Sequence, residues 1–182
     1  MIKKIINLRL THFEVVQRLV VGSGSIFANL MIVGEAPGAH EDKEGKPFVG
    51  KSGKFLKNLL ANAGINISKD IYFCNVIKCR PPKNRKPSKE EITIHKPWLT
   101  KQIKLINPKI VVLAGSIAMK AVLGINDPIS FTRGKWFYKN GINYIPIFHP
   151  SYLMRFSHNE VNNPYGLTLK DLNNVRNKLY DL

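Results

Sequence analysis

Three short segments hold the residue types that acid–base and hydrogen-bonding chemistry uses. Gly34-Glu35-Ala36-Pro37-Gly38 sets a carboxylate in a glycine turn, Asn75 lies in a second apolar run, and His149-Pro150-Ser151 follows a third. Singly, each has a bland reading: a loop carboxylate, a turn cap, a satisfied half-buried histidine. Jointly, an acid, an amide and an imidazole at three strand ends make a site. Phe48, within Gly45-Lys46-Pro47-Phe48-Val49-Gly50, is either plain core or, given the glycines and proline around it, a ring presented by a loop. Gly22-Ser23-Gly24-Ser25 is too short and wrongly placed for a dinucleotide loop and reads as a turn. His12, His40 and His158 lack partners at metal-ligand spacing and read as surface histidines.

The elements that must position these groups alternate. Ala28 to Gly34 is an apolar run ending in glycine, a buried strand, and Gly34 to Gly53 is a glycine-rich loop long enough to be functional. Lys54 to Ala63 keeps Phe55, Leu56, Leu59, Leu60 and Ala63 on one helical face, with Gly64 as its stop. Ile71 to Val76 is a second strand, followed by a basic, proline-rich loop from Lys78 to Pro87. Ser88 and Glu91 have capping-box spacing, so a helix starts there; Pro97 should kink or restart it before about Ile106. Ile110 to Ala114 is a third strand, and Ser116 to Leu123 a helix stopped by Gly124. Trp136 to Tyr138 and Ile142 to Phe148, joined through Asn140-Gly141, form a hairpin, and Thr168 to Leu179 a closing helix. Strands alternating with helices predict an α/β fold with a largely parallel sheet covered on both faces. Such sheets bind ligands beyond the carboxyl ends of their strands, where Glu35, Asn75 and His149 fall.

The chain has 182 residues, which fits one domain over 1–182, and no linker divides it. Its 28 Lys and Arg against 12 Asp and Glu give a net charge of +16. That balance favours a nucleic-acid partner, against the alternative of compositional drift in a Lys-, Ile- and Asn-rich chain. Distribution supports the partner: residues 78 to 109 hold ten basic and two acidic side chains, half the net charge. Two cysteines exclude a disulfide framework and any single-chain site needing four thiolates. No apolar run reaches membrane-span length, and the N-terminal stretch, interrupted by Arg9, His12, Glu14 and Arg18, makes a poor signal peptide. A soluble cytoplasmic protein is expected, with no membrane partner.

Four ordered blocks carry a family resemblance: GEAPGAHEDKEGKPFVGKSGKFL (Gly34 to Leu56), NVIKCRPPKNRKP (Asn75 to Pro87), PWLTKQIKLINPKIVVLAG (Pro97 to Gly115) and HPSYLMR (His149 to Arg155). They resemble the uracil-DNA glycosylase superfamily and, within it, the iron–sulfur-containing family 4. The resemblance implies a three-layer α/β/α sandwich with a central, mostly parallel four-stranded sheet. It implies hydrolysis of the N-glycosidic bond of a uracil flipped out of single- or double-stranded DNA, initiating base excision repair. A monomer is expected. Carried over residue by residue, it makes Glu35 and His149 catalytic and Phe48, Asn75, Glu41 and Asn84 the uracil-binding set. Phe48 would stack on the base and Asn75 would read it. Leu153, within Tyr152-Leu153-Met154, would be the apolar wedge, while Gly115, Ser116, Ser151 and Arg155 would contact phosphates. Gly38 stands where the best-known uracil glycosylases carry a tyrosine that blocks thymine, so a broader deaminated-base or mismatch glycosylase is the alternative. A DNA-binding paralogue without chemistry is the other, and the presence of Glu35, Phe48, Asn75 and His149 opposes it.

In one respect the chain departs from that family, whose members hold a four-iron cluster with four cysteines. The matching positions here are Asn7, Leu10, Cys79 and His95, and Cys74 replaces none of them. Asn and Leu do not ligate clusters, so neither a cluster nor any other metal or cofactor is expected. Leu10, packed near Cys79 and His95, would then supply apolar contact in place of the cluster's brace.

Overall fold

The computed structural model describes residues 18–156 and 162–181. Its sheet has six strands in the order β1-β3-β2-β4-β6-β5. They are β1 (Ser23–Gly24), β2 (Leu30–Gly34), β3 (Ile71–Asn75), β4 (Ile110–Ala114), β5 (Phe137–Lys139) and β6 (Ile142–Ile147). The central four, β3-β2-β4-β6, are mutually parallel, and β1 and β5 pair antiparallel at the two edges. The expected four-stranded core is thus present with two short strands added. β5 completes the expected hairpin, where Asn140 (φ 52°) and Gly141 (φ 81°) supply the two left-handed turn residues. β1 occupies the stretch read as a turn. Gly24 lies there at φ 122°, and a Cβ on it would stand 2.2 Å from the Ile71 carbonyl oxygen.

Helices cover both faces because alternate strand residues point to opposite sides. Leu30, Ile32, Ile71, Phe73, Ile110, Val112, Ile145 and Ile147 pack on one side. They meet Leu56, Leu59 and Leu60 of α2 (Lys51–Asn62) and Leu172 and Val175 of α8 (Pro164–Tyr180). Met31, Val33, Val111 and Leu113 pack on the other, against Leu99 of α4 (Lys89–Ile106) and Ala118 and Met119 of α5 (Ser116–Leu123). The sheet is thus covered on both faces, as the alternation predicts, in the three-layer sandwich that the resemblance implies. Short helices α1 (Ala39–Glu44), α3 (Ile67–Asp70), α6 (Ile129–Thr132) and α7 (Pro150–Leu153) fill the connections. Arg133, just after α6, forms a bidentate ion pair with Asp171 of α8 and also donates to the Leu167 carbonyl, fastening these helices together.

Two expectations need correction. The Gly34 to Gly53 segment is not one loop: α1 lies inside it and α2 begins at Lys51. Nor does Pro97 restart the helix, since α4 runs through it unbroken. Pro97 and Thr93 both face solvent, so water can satisfy the Thr93 carbonyl that loses its helical donor. His40 is exposed as expected, whereas Asn7, Leu10, His12 and His158 lie outside the described residues.

Candidate active site

The carboxyl ends of β2, β3, β4 and β6 open into a cleft of about 850 Å³. It brings together Glu35, Glu41, Phe48, Asn75, Asn84, Gly115, Ser116, His149, Ser151 and Arg155 from six separate stretches of chain. Leu153 is the exception. It is 0% exposed and packed in the core beneath α7, so it is not a wedge available to a ligand. The apolar groups this loop does expose are Tyr152 (40%) and Met154 (44%). Tyr152 lines the cleft and packs between Phe148 and Phe156, tilted against the first (centroids 5.4 Å apart) and edge-on to the second (5.0 Å).

One end of the cleft is a slot built on β2 and β3. Gly34 lies in register with Asn75, and a Cβ on Gly34 would stand 2.4 Å from Asn75 Oδ1 and 2.7 Å from Phe48 Cζ. Only a residue without a side chain lets the aromatic and the amide approach so closely. Asn75 is 4% exposed as a residue, and its carboxamide, on the cleft wall, has no hydrogen-bond partner among the described residues. An amide that the protein leaves unpaired at the wall of a cleft is met by water or by a ligand that supplies the missing partners. Phe48 adopts φ 56°, a conformation that costs of order 1–3 kcal/mol for a bulky residue. Glu41 holds it there, accepting from the backbone N–H groups of Gly38 (3.1 Å), Val49 (3.0 Å) and Gly50 (2.7 Å). Its carboxylate is therefore spent on shaping the Phe48 loop, and its place in the site is that of a brace. Asn84 sits exposed on the rim, its Oδ1 accepting from Arg80 Nε at 2.8 Å.

At the other end, His149 caps α7. Its Nδ1 accepts from the Ser151 backbone N–H (3.2 Å) and lies 2.7 Å from Ser151 Oγ. A backbone N–H can only donate, so Nδ1 is the unprotonated nitrogen and the neutral ring carries its proton on Nε2. Burial pushes the imidazole below its ordinary pKa, which favours that neutral form. Gly115, at φ 96°, gives this ring room: a Cβ there would lie 3.0 Å from His149 Cβ. Burial pushes the Glu35 carboxyl above its ordinary range, and the nearby Lys86 ammonium opposes that rise. Lys86 and Arg85 also line the cleft, and Arg85 forks onto both oxygens of Glu91 at 2.8 and 2.7 Å. The basic loop is visible in the sequence, but its juxtaposition with Glu35 is not.

The positions that hold a cluster in family 4 are occupied differently. Cys79 is buried against Leu19 and Trp98. His95 is buried on α4, its Nδ1 accepting from the Lys78 backbone N–H at 3.4 Å. Among the described residues no three His, Cys, Asp or Glu side chains gather as a metal site. One thiolate and one imidazole do not fit a four-iron cluster. Protein purified with or without oxygen should be colourless; brown protein with stoichiometric iron would refute this. His95 also has a consequence for stability. Burial, and next the Lys78 ammonium, pull its pKa from 6.5 down to about 4, with Glu91 opposing. The unfolded chain therefore binds a proton before the folded one does. Stability should fall on acidification from pH 6.5 towards 4, by up to about 3 kcal/mol. Urea midpoints measured against pH should show this slope flattened in His95→Leu, and parallel profiles would contradict it.

The family model of the uracil DNA glycosylase superfamily matches residues 21–173. The chain is 44% identical over 147 residues to a type-4 uracil-DNA glycosylase of Thermotoga maritima, covering 79% of this chain and 75% of that one. It is 43% identical over 141 residues to the type-4 enzyme of Sulfurisphaera tokodaii (72% of this chain, 64% of that one). The type-4 enzyme of Saccharolobus solfataricus is 40% identical over 141 residues (72% and 65%). The chain thus spans three quarters of the first relative and just under two thirds of the other two. Because the matched segment runs through every strand of the sheet and every side chain of the slot, the chain belongs to the uracil-DNA glycosylase superfamily.

Proposed function

We propose that this protein acts on DNA as a monofunctional uracil-DNA glycosylase, hydrolysing the N-glycosidic bond of a flipped-out uracil to initiate base excision repair. It works as a single-domain monomer in the cytoplasm. The observation that carries this reading is the unpartnered Asn75 amide beside the Phe48 ring in a slot floored by Gly34. Phe48 stacks on the base, an interaction of about 1–3 kcal/mol that is indifferent to base identity. Asn75 supplies the identity: its N–H₂ donates to uracil O4 and its oxygen accepts from N3–H. Cytosine presents the opposite pattern and would leave buried groups unpaired.

His149 donates from Nε2–H to uracil O2 as charge develops on the leaving base. Glu35 orients the attacking water and faces the oxocarbenium-like sugar. Gly115, Ser116, Ser151 and Arg155 meet the backbone phosphates, helped by the Arg85 and Lys86 rim. With Leu153 buried, the role of filling the gap in the base stack passes to Tyr152.

The test is incubation with single- and double-stranded oligonucleotides holding uracil, hypoxanthine or thymine opposite guanine, followed by alkaline cleavage of abasic sites. Excision of uracil supports the reading, and cleavage confined to the other lesions would replace it with the broader alternative that the bare Gly38 permits. Asn75→Asp should gain cytosine excision, because a protonated or reoriented carboxyl can meet the exocyclic amino group. If Asn75→Asp and Asn75→Ala both excise uracil at the parental rate, Asn75 does not read the base.

A further inference from the structure

We propose that Lys78 is the positioning residue of the base reader: its buried ammonium grips the main-chain carbonyl of Asn75 and so fixes the direction in which the Asn75 amide meets the base. The inference rests on the base-reading role given to Asn75 above.

Lys78 is 1% exposed and, among the described residues, heads the fully buried side chains by size. No carboxylate of the described residues pairs with it. An ammonium taken out of water needs a compensating partner, and a lysine that only filled space would be replaced by an apolar chain without that cost. The partner it has is Asn75 O, at 2.5 Å from Nζ. That carbonyl needs one, because β1 pairs with β3 only at Tyr72 and Phe73 and stops short of the strand end.

The backbone of Lys78 is tied on both sides as well. Its backbone N–H donates to His95 Nδ1 on α4, and its carbonyl accepts from the Val20 N–H at 2.8 Å. Between the two ends of the clamp, Val76 N–H donates to the Gly34 carbonyl (2.9 Å) and Ile77 N–H to the Glu35 carbonyl (3.3 Å). The Asn75 to Lys78 turn is thus locked to the segment carrying Glu35 on one side and to α4 on the other. In the family-4 pattern, cluster ligands would stand at Cys79 and His95; here an imidazole–amide hydrogen bond and a buried lysine span the same interval. Misplacing a group that reads or orients the substrate by about 1 Å can cost about 10²-fold in rate.

Lys78→Met keeps the length of the apolar stem up to the ε position and removes the donor. Single-turnover uracil excision should fall by at least about tenfold and the uracil-to-cytosine ratio should drop with it, while affinity for abasic-site DNA stays within about twofold. The decisive measurement is a double-mutant cycle with Asn75→Ala. If Lys78 acts through Asn75, adding Lys78→Met to Asn75→Ala should change the rate by less than about twofold. Equal factors in both backgrounds would make Lys78 a general structural element and overturn the proposal. So would parental activity of Lys78→Met beside a crippled Asn75→Ala. Parental excision by Asn75→Ala would refute the base-reading assignment itself, and the clamp with it. Should Lys78→Met lose its cooperative thermal transition, Lys78→Gln, uncharged and one bond too short to reach Asn75 O, enters the same cycle with the same outcomes.

Discussion

His149→Ala and Glu35→Gln should each lower single-turnover uracil excision by at least about 10², with little change in affinity for uracil-containing DNA. Both groups act on charge that exists only in the transition state, His149 on the departing base and Glu35 on the sugar and water, so the loss belongs in the chemical step. The histidine is preset for this: Ser151 engages Nδ1, which leaves the ring proton on Nε2, without a partner among the described residues. The pH dependence has a definite sign. Glu35 works ionised, and burial raises its pKa, so excision should fall on acidification at a pH above the ordinary carboxylate range. Lys86→Ala removes the cation that opposes that rise and should move the acid limb to higher pH. Glu35→Gln should abolish the limb. Near-parental rates in both His149→Ala and Glu35→Gln would place the chemistry elsewhere.

What could be read from the sequence was what local patterns encode. Four apolar runs gave the parallel strands, and Ser88 with Glu91 does form a capping box at the start of α4. Asn140-Gly141 does turn a hairpin. α1 was hidden because AHEDKE has no apolar face; two of its acids, Glu41 and Asp42, point inward to receive backbone N–H groups rather than solvent. β1 was hidden because two residues show no alternation. The burial of Leu153 is not legible in the sequence, because a four-residue helix has no period from which to tell core from surface; its neighbours Tyr152 and Met154 are the exposed ones. The motif blocks drew Glu35, Phe48, Asn75 and His149 to one cleft, but the supports of those residues are long-range. The Glu41 brace under Phe48, Lys86 beside Glu35 and the Lys78 ammonium under Asn75 exist only once the chain is folded.

The slot can be closed with a single carbon. Gly34→Ala places a Cβ where Asn75 Oδ1 and the tip of the Phe48 ring now sit, at 2.4 and 2.7 Å, far inside contact distance. Both obstructions are side-chain ends, so β2 can keep its register and the substitution should cost only the about 1–3 kcal/mol of a local overpacking. The site has less freedom than the strand. Phe48 cannot retreat, because its ring packs on Phe73 at 5.4 Å and its backbone lies where a Gly53 Cβ would stand 2.3 Å away. Glu41 also holds the two residues that follow it. Asn75 is fixed at its carbonyl by Lys78. The aromatic plane and the amide must therefore tilt out of alignment with the base, and uracil excision should fall by at least about 10². The thermal transition should stay cooperative, its midpoint lower by no more than about 2–12 °C, and abasic-site affinity should stay close to the parent's, which separates this outcome from a general loss of structure. A Gly34→Ala chain that excises uracil at the parental rate would mean that the base does not enter between Phe48 and Asn75 at all.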